Sequence, residues 1–396
     1  MDIINEVKKY ENFIISTRRK LHQIPEIGLD TFNTCKEIET ILKENSISYE
    51  KIMDSRAIVA TIDSGKVGKC LAFRADMDGL EIKEDTNLDF KSTNGNMHAC
   101  GHDGHMANNL ATLLVLNSMK DHFSGKIKFI FQPGEEYPGG AKLLIEEGVL
   151  ENPKVDCIIG SHIGGIFSDL PKGKIGLKSG NLMASMDRFY IQIKGRGGHG
   201  SMPEETIDPI ACMVDIVQAI NRIKSREISS SERSIISVCR VESGFNQNII
   251  PSTAEIEGTV RTFNDDLREF IKSRIEEIVS SYSKANRCQY EYEYSFKYPY
   301  LSNDKNVVEL LRKSIEKIFP KDVIFDLPHG TMAGDDMAFY LKEVPGAYFM
   351  LSNLKADEHG ATYPNHNSKF DIDEKELYKV VAVNVQFALD YLNCSN

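Results

Sequence analysis

The stretch MHACGHDGH, at positions 97–105, places three histidines, one cysteine and one aspartate between His98 and His105. Imidazole, thiolate and carboxylate side chains are the donor set of first-row divalent metals of the zinc type. Three other segments end apolar runs in ionisable groups: FRADMD supplies Asp76 and Asp78, FQPGEE supplies Glu135 and Glu136, and IIGSH supplies His162. In an open sheet of parallel strands the site lies outside the carboxyl ends. These groups are therefore expected to converge, joined by the CGHDGH turn ahead of the next helix. Glu135 and Glu136 are adjacent and cannot serve identically. A natural division makes one a metal ligand and the other a general base on an activated water. Each segment alone also has a structural reading. CxH can be a turn, a Glu pair a helix N-terminal charge, GRGGHGSMPE a glycine-rich turn and GDDMAF an N-cap. Joint occurrence at strand ends raises metal chemistry to the level of these structural readings, and the pattern alone leaves both open.

The elements that must position these groups follow from hydrophobic periodicity. The first ~50 residues read helical, with Val7, Tyr10, Phe13, Ile14 and Leu21 on one stripe. AIVATI, KCLAFRAD, KIKFIFQ and VDCIIGSH read as strands, and MANNLATLLVLNSMK and AKLLIEEGVL as the helices between them. Such alternation argues for parallel pairing and helices on the sheet faces. Near residue 185 the pattern changes. DRFYIQIKG alternates with period two; a helix follows from Asp208 to Lys224, then strands SIISVCRV and TAEIEGTVRTF, a helix from Asp265 to Ala285, and the strand QYEYEYSF. From 297 the first pattern resumes with VVELLRKSIEKIF, GAYFMLSN and a closing helix. The expected fold is α/β: a helix-covered mixed sheet in a discontinuous catalytic domain, 1–184 and 297–396, interrupted by a β-α-β-β-α-β sandwich at 185–296.

Bulk properties narrow the function classes. With 396 residues, 41% hydrophobic and 27% charged, the chain has the profile of a globular protein with more than one core. A net charge of -11 without a basic tract argues against nucleic acid as a partner. No apolar run reaches a membrane-spanning length of about 18 residues, and the charged N-terminus lacks a signal-peptide core. Eight scattered cysteines without CxxC read as reduced thiols, pointing to a cytoplasmic location.

The series FRADMDGL, HACGHDGH, FQPGEE, GSH, GRGGHGSMPE, NIIPSTAEIEGTVRTF, AGDDMAFY and HNSKFDID resembles the aminoacylase-like metallo-amidohydrolases. The branch it most resembles holds the hippurate hydrolases, auxin-conjugate hydrolases and N-acetyldiaminopimelate deacetylases. The match runs in order from LHQIPEIGLDTF to the last helix. The resemblance implies that Cys100, His102, Glu136, His162 and His366 are metal ligands, that Glu135 is the general base, and that Asp76 orients a ligand from behind. Wider relatives carry a ligand histidine where this chain has Arg74, and His102 is expected to supply that imidazole. His199 is implied as the oxyanion donor, acting across the interface in family dimers; Asn248 and Arg261, thirteen residues apart, are implied as binders of the substrate carboxylate or scissile carbonyl.

Five protein ligands with one bridging give three bonds to each of two divalent ions, and a shared water completes four, the count zinc favours. Cys100 is the expected bridge; Mn, Ni or Co suit the same donors. The expected reaction is metal-dependent hydrolysis of an N-acyl amino acid to a carboxylic acid and a free amino acid. Cleavage of short peptides by a dipeptidase or carboxypeptidase is the alternative. A catalytically silent metal-binding homologue would have lost a ligand or the base, and none is missing. A thiol enzyme centred on Cys100 would want a resolving cysteine or a Cys-His-Asn set. Two segments depart from the family form: IGGIFSDLPKG after His162 and YPN before His366. Both bear on the acyl pocket rather than on the chemistry. A homodimer is expected, with DRFYIQIKG as an exposed edge that pairs with its copy.

Overall fold

The protein is described here by a computed structural model covering residues 2–394. It divides into two compact units. The first holds the chain up to Leu182, Ser302–Thr331 and the chain from Asp335 onward; the second holds Met183–Leu301 and Met332–Gly334. The tripeptide Met332–Gly334 thus belongs with the second unit, although it lies beyond the boundary at 297 read from the pattern.

The first unit is built on an eight-stranded sheet. Its order is Ser48–Ile52, Ala57–Asp63, Lys126–Gln132, Cys70–Asp76, Cys157–Gly164, Gly346–Ser352, Ile175–Leu177, Ile324–Asp326. The four central strands run parallel: Cys70–Asp76 pairs with Lys126–Gln132 on one side and Cys157–Gly164 on the other, and Gly346–Ser352 pairs with Cys157–Gly164. Antiparallel strands flank them, so the sheet is mixed, as expected. Cys70–Asp76, Cys157–Gly164 and Gly346–Ser352 are buried at every residue. That is the signature of a sheet covered on both faces, which near-continuous apolar runs produce. Parallel direction puts Asp76, Gln132 and the His162 end of its strand at one edge.

The helix His102–Ser118 is buried at every residue from His102 to Leu116. It packs between the sheet and the helices Glu11–His22 and Tyr378–Asn393. It begins four residues earlier than its apolar stretch from Met106. Gly101, with φ +86°, turns the chain in the left-handed region, and helical geometry starts at His102. His102 and His105 therefore stand on the helix's first turn and not in a loop before it. Gly104 leaves this turn room to approach the sheet: a Cβ there would meet Ile163 at 2.4 Å. The next helix, Gly140–Glu146, is shorter than AKLLIEEGVL, because Gly148 at φ +83° stops it.

The second unit has a four-stranded antiparallel sheet, ordered Ser234–Ser243, Thr253–Thr262, Met186–Lys194, Gln289–Tyr298. Helices Pro209–Arg226 and Asp265–Ala285 cover one face, over a core of Phe189, Ile191, Ile193, Ile216, Ile256 and Ile275. Asp208 and Asn264 cap these helices, accepting from the N–H of Ile210 and of Asp266. One expectation fails here. Met186–Lys194 is an interior strand, hydrogen-bonded on both sides, and cannot be a free edge; the edges are Ser234–Ser243 and Gln289–Tyr298. Period-two alternation reports which face is buried and says nothing about lateral neighbours.

A buried charge network ties the N-terminal helices of the first unit to the helix that starts at His102. The fully buried His22 lies 2.8 Å from Asp103 through Nδ1 and 3.2 Å from Glu84 through Nε2. Arg18 reaches the same Asp103 oxygen at 2.7 Å. Burial and the Arg18 charge would lower the His22 pKa; Asp103 and Glu84 outweigh them and hold it above the usual value. A raised folded-state pKa adds stability that is complete below the unfolded histidine value, about 6.5, and is lost as pH rises through the folded value. His22→Gln should therefore lower the denaturant midpoint strongly at pH 6, by roughly 3 kcal/mol or more as for a broken buried pair. The gap to the unsubstituted protein should narrow toward pH 9. A gap that widens with pH would contradict a charged His22.

Candidate active site

The carboxyl ends of the central strands and the first turn after Gly101 bring the expected ligands together. Cys100 is buried, with Sγ 3.4 Å from His162 Nε2. His162 donates Nδ1–H to the carbonyl of Ile163 at 2.7 Å, which leaves the Nε2 lone pair facing the thiol. His102 donates Nδ1–H to the carbonyl of Asp78 at 2.8 Å. Its Nε2 is buried, makes no hydrogen bond, and lies 3.7 Å from Asp76 and 3.9 Å from Glu135. Burial would lower the His102 pKa, but Asp76 and Asp78 outweigh it and raise it to about 10. Without a metal this ring is cationic and Nε2 is a buried polar atom with no partner, a position a divalent cation would take up. Across the site Glu136 Oε1 is 2.9 Å from His366 Nε2. His366 holds a left-handed backbone, φ +68°, with its N–H on the carbonyl of Ala99 at 2.8 Å; such strain is retained where the surroundings fix it.

The donor atoms gather into groups whose members lie within 4.8 Å of one another: Cys100 with His102 and His162, Cys100 with Glu136 and His366, and His102 with Glu135 and Glu136. The first two share the Cys100 sulfur, so the five expected ligands fall into two three-donor sets with one atom in common. A further group, Asp76 with His102 and His105, has the spacing of a metal site but no free donor on His105. That ring accepts the Ile163 N–H on Nε2 at 3.0 Å and donates Nδ1–H to Asp76 at 2.6 Å.

Asp76 lies behind the expected ligands, and the histidine it holds is not one of them. It holds His105 and, through its other oxygen, Arg74 at 2.8 Å. The group that fixes the tautomer of His102 is the carbonyl of Asp78. The Asp78 carboxylate has a second task that its residue type did not reveal. It accepts the N–H groups of both Glu135 and Glu136, at 2.9 and 3.0 Å, and so fixes the backbone of the turn that carries the two glutamates. Arg74, in the place of the relatives' histidine, neutralises part of a buried acidic cluster: Asp336 at 2.5 Å, Asp76 at 2.8 Å and Asp335 at 3.4 Å. AGDDMAFY, which read as an N-cap from the sequence, supplies two of these acids; Asp335 accepts the N–H of Met337 as well.

Electrostatics divide the glutamate pair. Burial, then Asp335, Glu136, Asp336 and Asp76 push the Glu135 carboxyl well above its ordinary value. Burial acts on Glu136 too, but His366 and His102 outweigh it and draw its carboxyl below the ordinary range. The Cys100 thiol is pushed well up by burial and by Glu136, Glu135 and Asp76. A dry site holding a thiol and several carboxylates is stable as anions only with cations among them, so the residues present fit a metal centre.

The other three expected residues belong to the second unit. Gly198–His199 pairs with Ile249–Ile250, and Gly200 N–H meets the carbonyl of Asn248 at 2.8 Å, so Asn248, in the turn just before Ile249, stands beside His199 at the end of one ribbon. His199 is exposed, and its Nδ1 accepts the N–H of Ser201 at 3.1 Å. In the neutral ring Nε2 then carries the proton and can donate outward. Arg261 lies near the end of Thr253–Thr262 with a buried Nη1 that makes no hydrogen bond.

The sequence of this chain matches the family model described as Peptidase family M20/M25/M40 over residues 72–390. The chain belongs to that family. Over 402 aligned residues it is 37% identical to thermostable carboxypeptidase 1 of Saccharolobus solfataricus, covering 99% of this chain and 100% of the relative. It is 35% identical to an N-acetylcysteine deacetylase of Bacillus subtilis, covering 93% and 94%. Among solved structures, a dinuclear metal binding peptidase of the M20 family from Bacillus subtilis superposes with TM-score 0.83 at 32% identity, covering 97% of this chain and 99% of that one. In this M20 chain the five donors Cys100, His102, Glu136, His162 and His366 lie close enough together to share a metal centre.

A thiolate ligand contributes directly to metal affinity. Cys100→Ala should therefore lower the metal content of the folded, dialysed protein below that of the unsubstituted protein, read by elemental analysis. Unchanged metal content would contradict a ligand role.

Proposed function

We propose that this M20 chain is a metal-dependent amidohydrolase that cleaves N-acyl amino acids to a carboxylic acid and a free amino acid. The observation that carries this reading is the pair of three-donor sets sharing Cys100, with Glu135 beside them and outside both. Cys100, His102 and His162 would hold one divalent ion, and Cys100, Glu136 and His366 the other. When bound, such ions would polarise the amide carbonyl and lower the pKa of water. The nitrogen, sulfur and carboxylate donors suit Zn, and Mn, Ni or Co are compatible.

The chain's own groups account for the remaining steps. Glu135 takes the proton of the attacking water; its raised proton affinity suits holding that proton and passing it to the leaving nitrogen. His199, with its proton on Nε2, donates to the developing oxyanion. Arg261, with an unused buried N–H, clamps the substrate's α-carboxylate, and Asn248 beside His199 binds the carbonyl region. We read the second unit as a lid and dimerisation domain. A homodimer pairing through a true sheet edge such as Ser234–Ser243 replaces the edge expected at Met186–Lys194. A cytoplasmic setting agrees with cysteines that are all free among the described residues. Among those residues no helix is long and apolar enough to cross a membrane. Cleavage of short peptides from the carboxyl end is the second reading, favoured by the carboxypeptidase relative.

Glu135→Gln should keep its metals and lower kcat on N-acetyl and N-benzoyl amino acids by about 10²–10⁴-fold, the usual range for a lost general base. Turnover near normal, with metal content unchanged, would remove Glu135 from that role. A panel including dipeptides separates the two substrate readings: the amidohydrolase requires higher kcat/KM on N-acyl amino acids.

Transfer of His199 to the partner's site is testable by mixing two inactive variants, His199→Ala and Glu135→Gln, after reversible dissociation. In a mixed dimer one site keeps its own Glu135 and receives an intact His199. Random pairing makes roughly half the dimers mixed, so about a quarter of the original activity should return. No recovery after demonstrated subunit exchange would place His199 in its own subunit's chemistry or outside the chemistry.

A further inference from the structure

The ligands Cys100, His162 and His366 come from three segments that are distant in sequence. One side chain outside this set, that of Asn365, contacts the first two segments and belongs to the third. Asn365 accepts the Gly165 N–H on Oδ1 at 2.7 Å. Its Nδ2 donates to the carbonyl of Cys100 at 3.1 Å and to that of Ile163 at 3.3 Å, and lies 3.9 Å from Cys100 Sγ. A backbone N–H can only donate, so the Gly165 contact fixes which end of the amide is oxygen. The same residue is joined by one peptide bond to His366, whose left-handed backbone is anchored on Ala99.

The surroundings reserve this place. Gly164, at φ +103°, lies against the Asn365 amide, and a Cβ there would come within 2.7 Å of both amide heteroatoms. An apolar residue of similar size at 365 would leave the Gly165 N–H and the Cys100 carbonyl without these partners, at the cost of unsatisfied backbone groups beside the site.

We propose that Asn365 is the positioning residue that clamps the Cys100 turn, the His162 strand and the His366 loop into the geometry needed to bind metal. This inference rests on the metal-ligand roles proposed above for Cys100, His162 and His366. Partners behind a first ligand shell typically change metal affinity 10–100-fold when removed, and the amide acts here on three ligands together.

Full-length protein loaded with Co²⁺ gives two readouts besides turnover: affinity by chelator competition, and the near-ultraviolet charge-transfer band that a thiolate–cobalt bond produces. Asn365→Leu should weaken metal affinity by about 10–100-fold and shift or weaken the band. Asn365→Ala removes both the acceptor for Gly165 and the donor to Cys100 without adding bulk or charge, and serves if the leucine variant does not fold. It should show a loss of similar size. A residue with only a structural role would lower the melting temperature of the metal-free protein and leave the band of the loaded protein in place. Absence of the band in the unsubstituted protein would overturn the metal reading, and the clamp with it. A normal band there, reproduced in folded variants with affinity within about twofold, would overturn the clamp alone.

Discussion

Repulsion among buried anions is the constraint around which the first unit is arranged. Asp76, Asp78, Glu135, Asp335 and Asp336 are all buried, and Glu136 and the Cys100 thiol lie among them. Arg74 offsets part of this charge through contacts with three carboxylates. What it leaves uncompensated falls on the side where the imidazole lone pairs and the thiol converge. Burial strengthens every one of these interactions, attractive or repulsive, so the same dry surroundings that hold Glu135 protonated more readily also make the site hungry for cations. The division of labour between two adjacent glutamates follows from which neighbours each meets: carboxylates for Glu135, imidazoles for Glu136.

Direction is the second requirement, and backbone groups supply it. Three of the site's histidines have their tautomers chosen by a main-chain partner: Asp78 carbonyl for His102, Ile163 carbonyl for His162, Ile163 N–H for His105. Main-chain donors and acceptors cannot change role, so they settle which ring nitrogen faces the site. Four parallel central strands make this possible, because they deliver their carboxyl-terminal turns to one edge. Gly101 then starts a helix at that edge and places His102 and His105 one turn apart, one ring facing the donors and the other bracing the strand behind them.

The second unit follows a different logic. Its antiparallel sheet has one face packed on two helices, and His199, Asn248 and Arg261 stand on a short ribbon, in the turn before its second strand and near a strand end. Ser201 presents an N–H to His199 Nδ1 and so leaves the outward nitrogen protonated. A donor prepared in this way costs no reorganisation when negative charge develops, which is the physical content of an oxyanion role for an exposed histidine.

Most elements were legible in the sequence, because burial imposes periodicity. The helix Asp265–Ala285 and the strand around DRFYIQIKG lie where their apolar patterns put them. Boundaries set by glycine geometry were less legible: the helix at His102 starts before its apolar run, and the one ending at Glu146 stops inside it. The sequence by itself determined the donor types, their place at strand ends and the adjacency of two glutamates at one of those ends, since these depend on residue identity and on local pattern. Only the tertiary structure decided how five donors sort into two sets, that Asp76 serves His105, that Asp78 fixes the glutamate turn, and that Met186–Lys194 is an interior strand. Those outcomes rest on hydrogen bonds between segments far apart in the chain, such as Asp78 with Glu135 or Asn365 with Cys100. Local periodicity records which face of an element is buried, and it carries no information about which distant backbone group will meet it there.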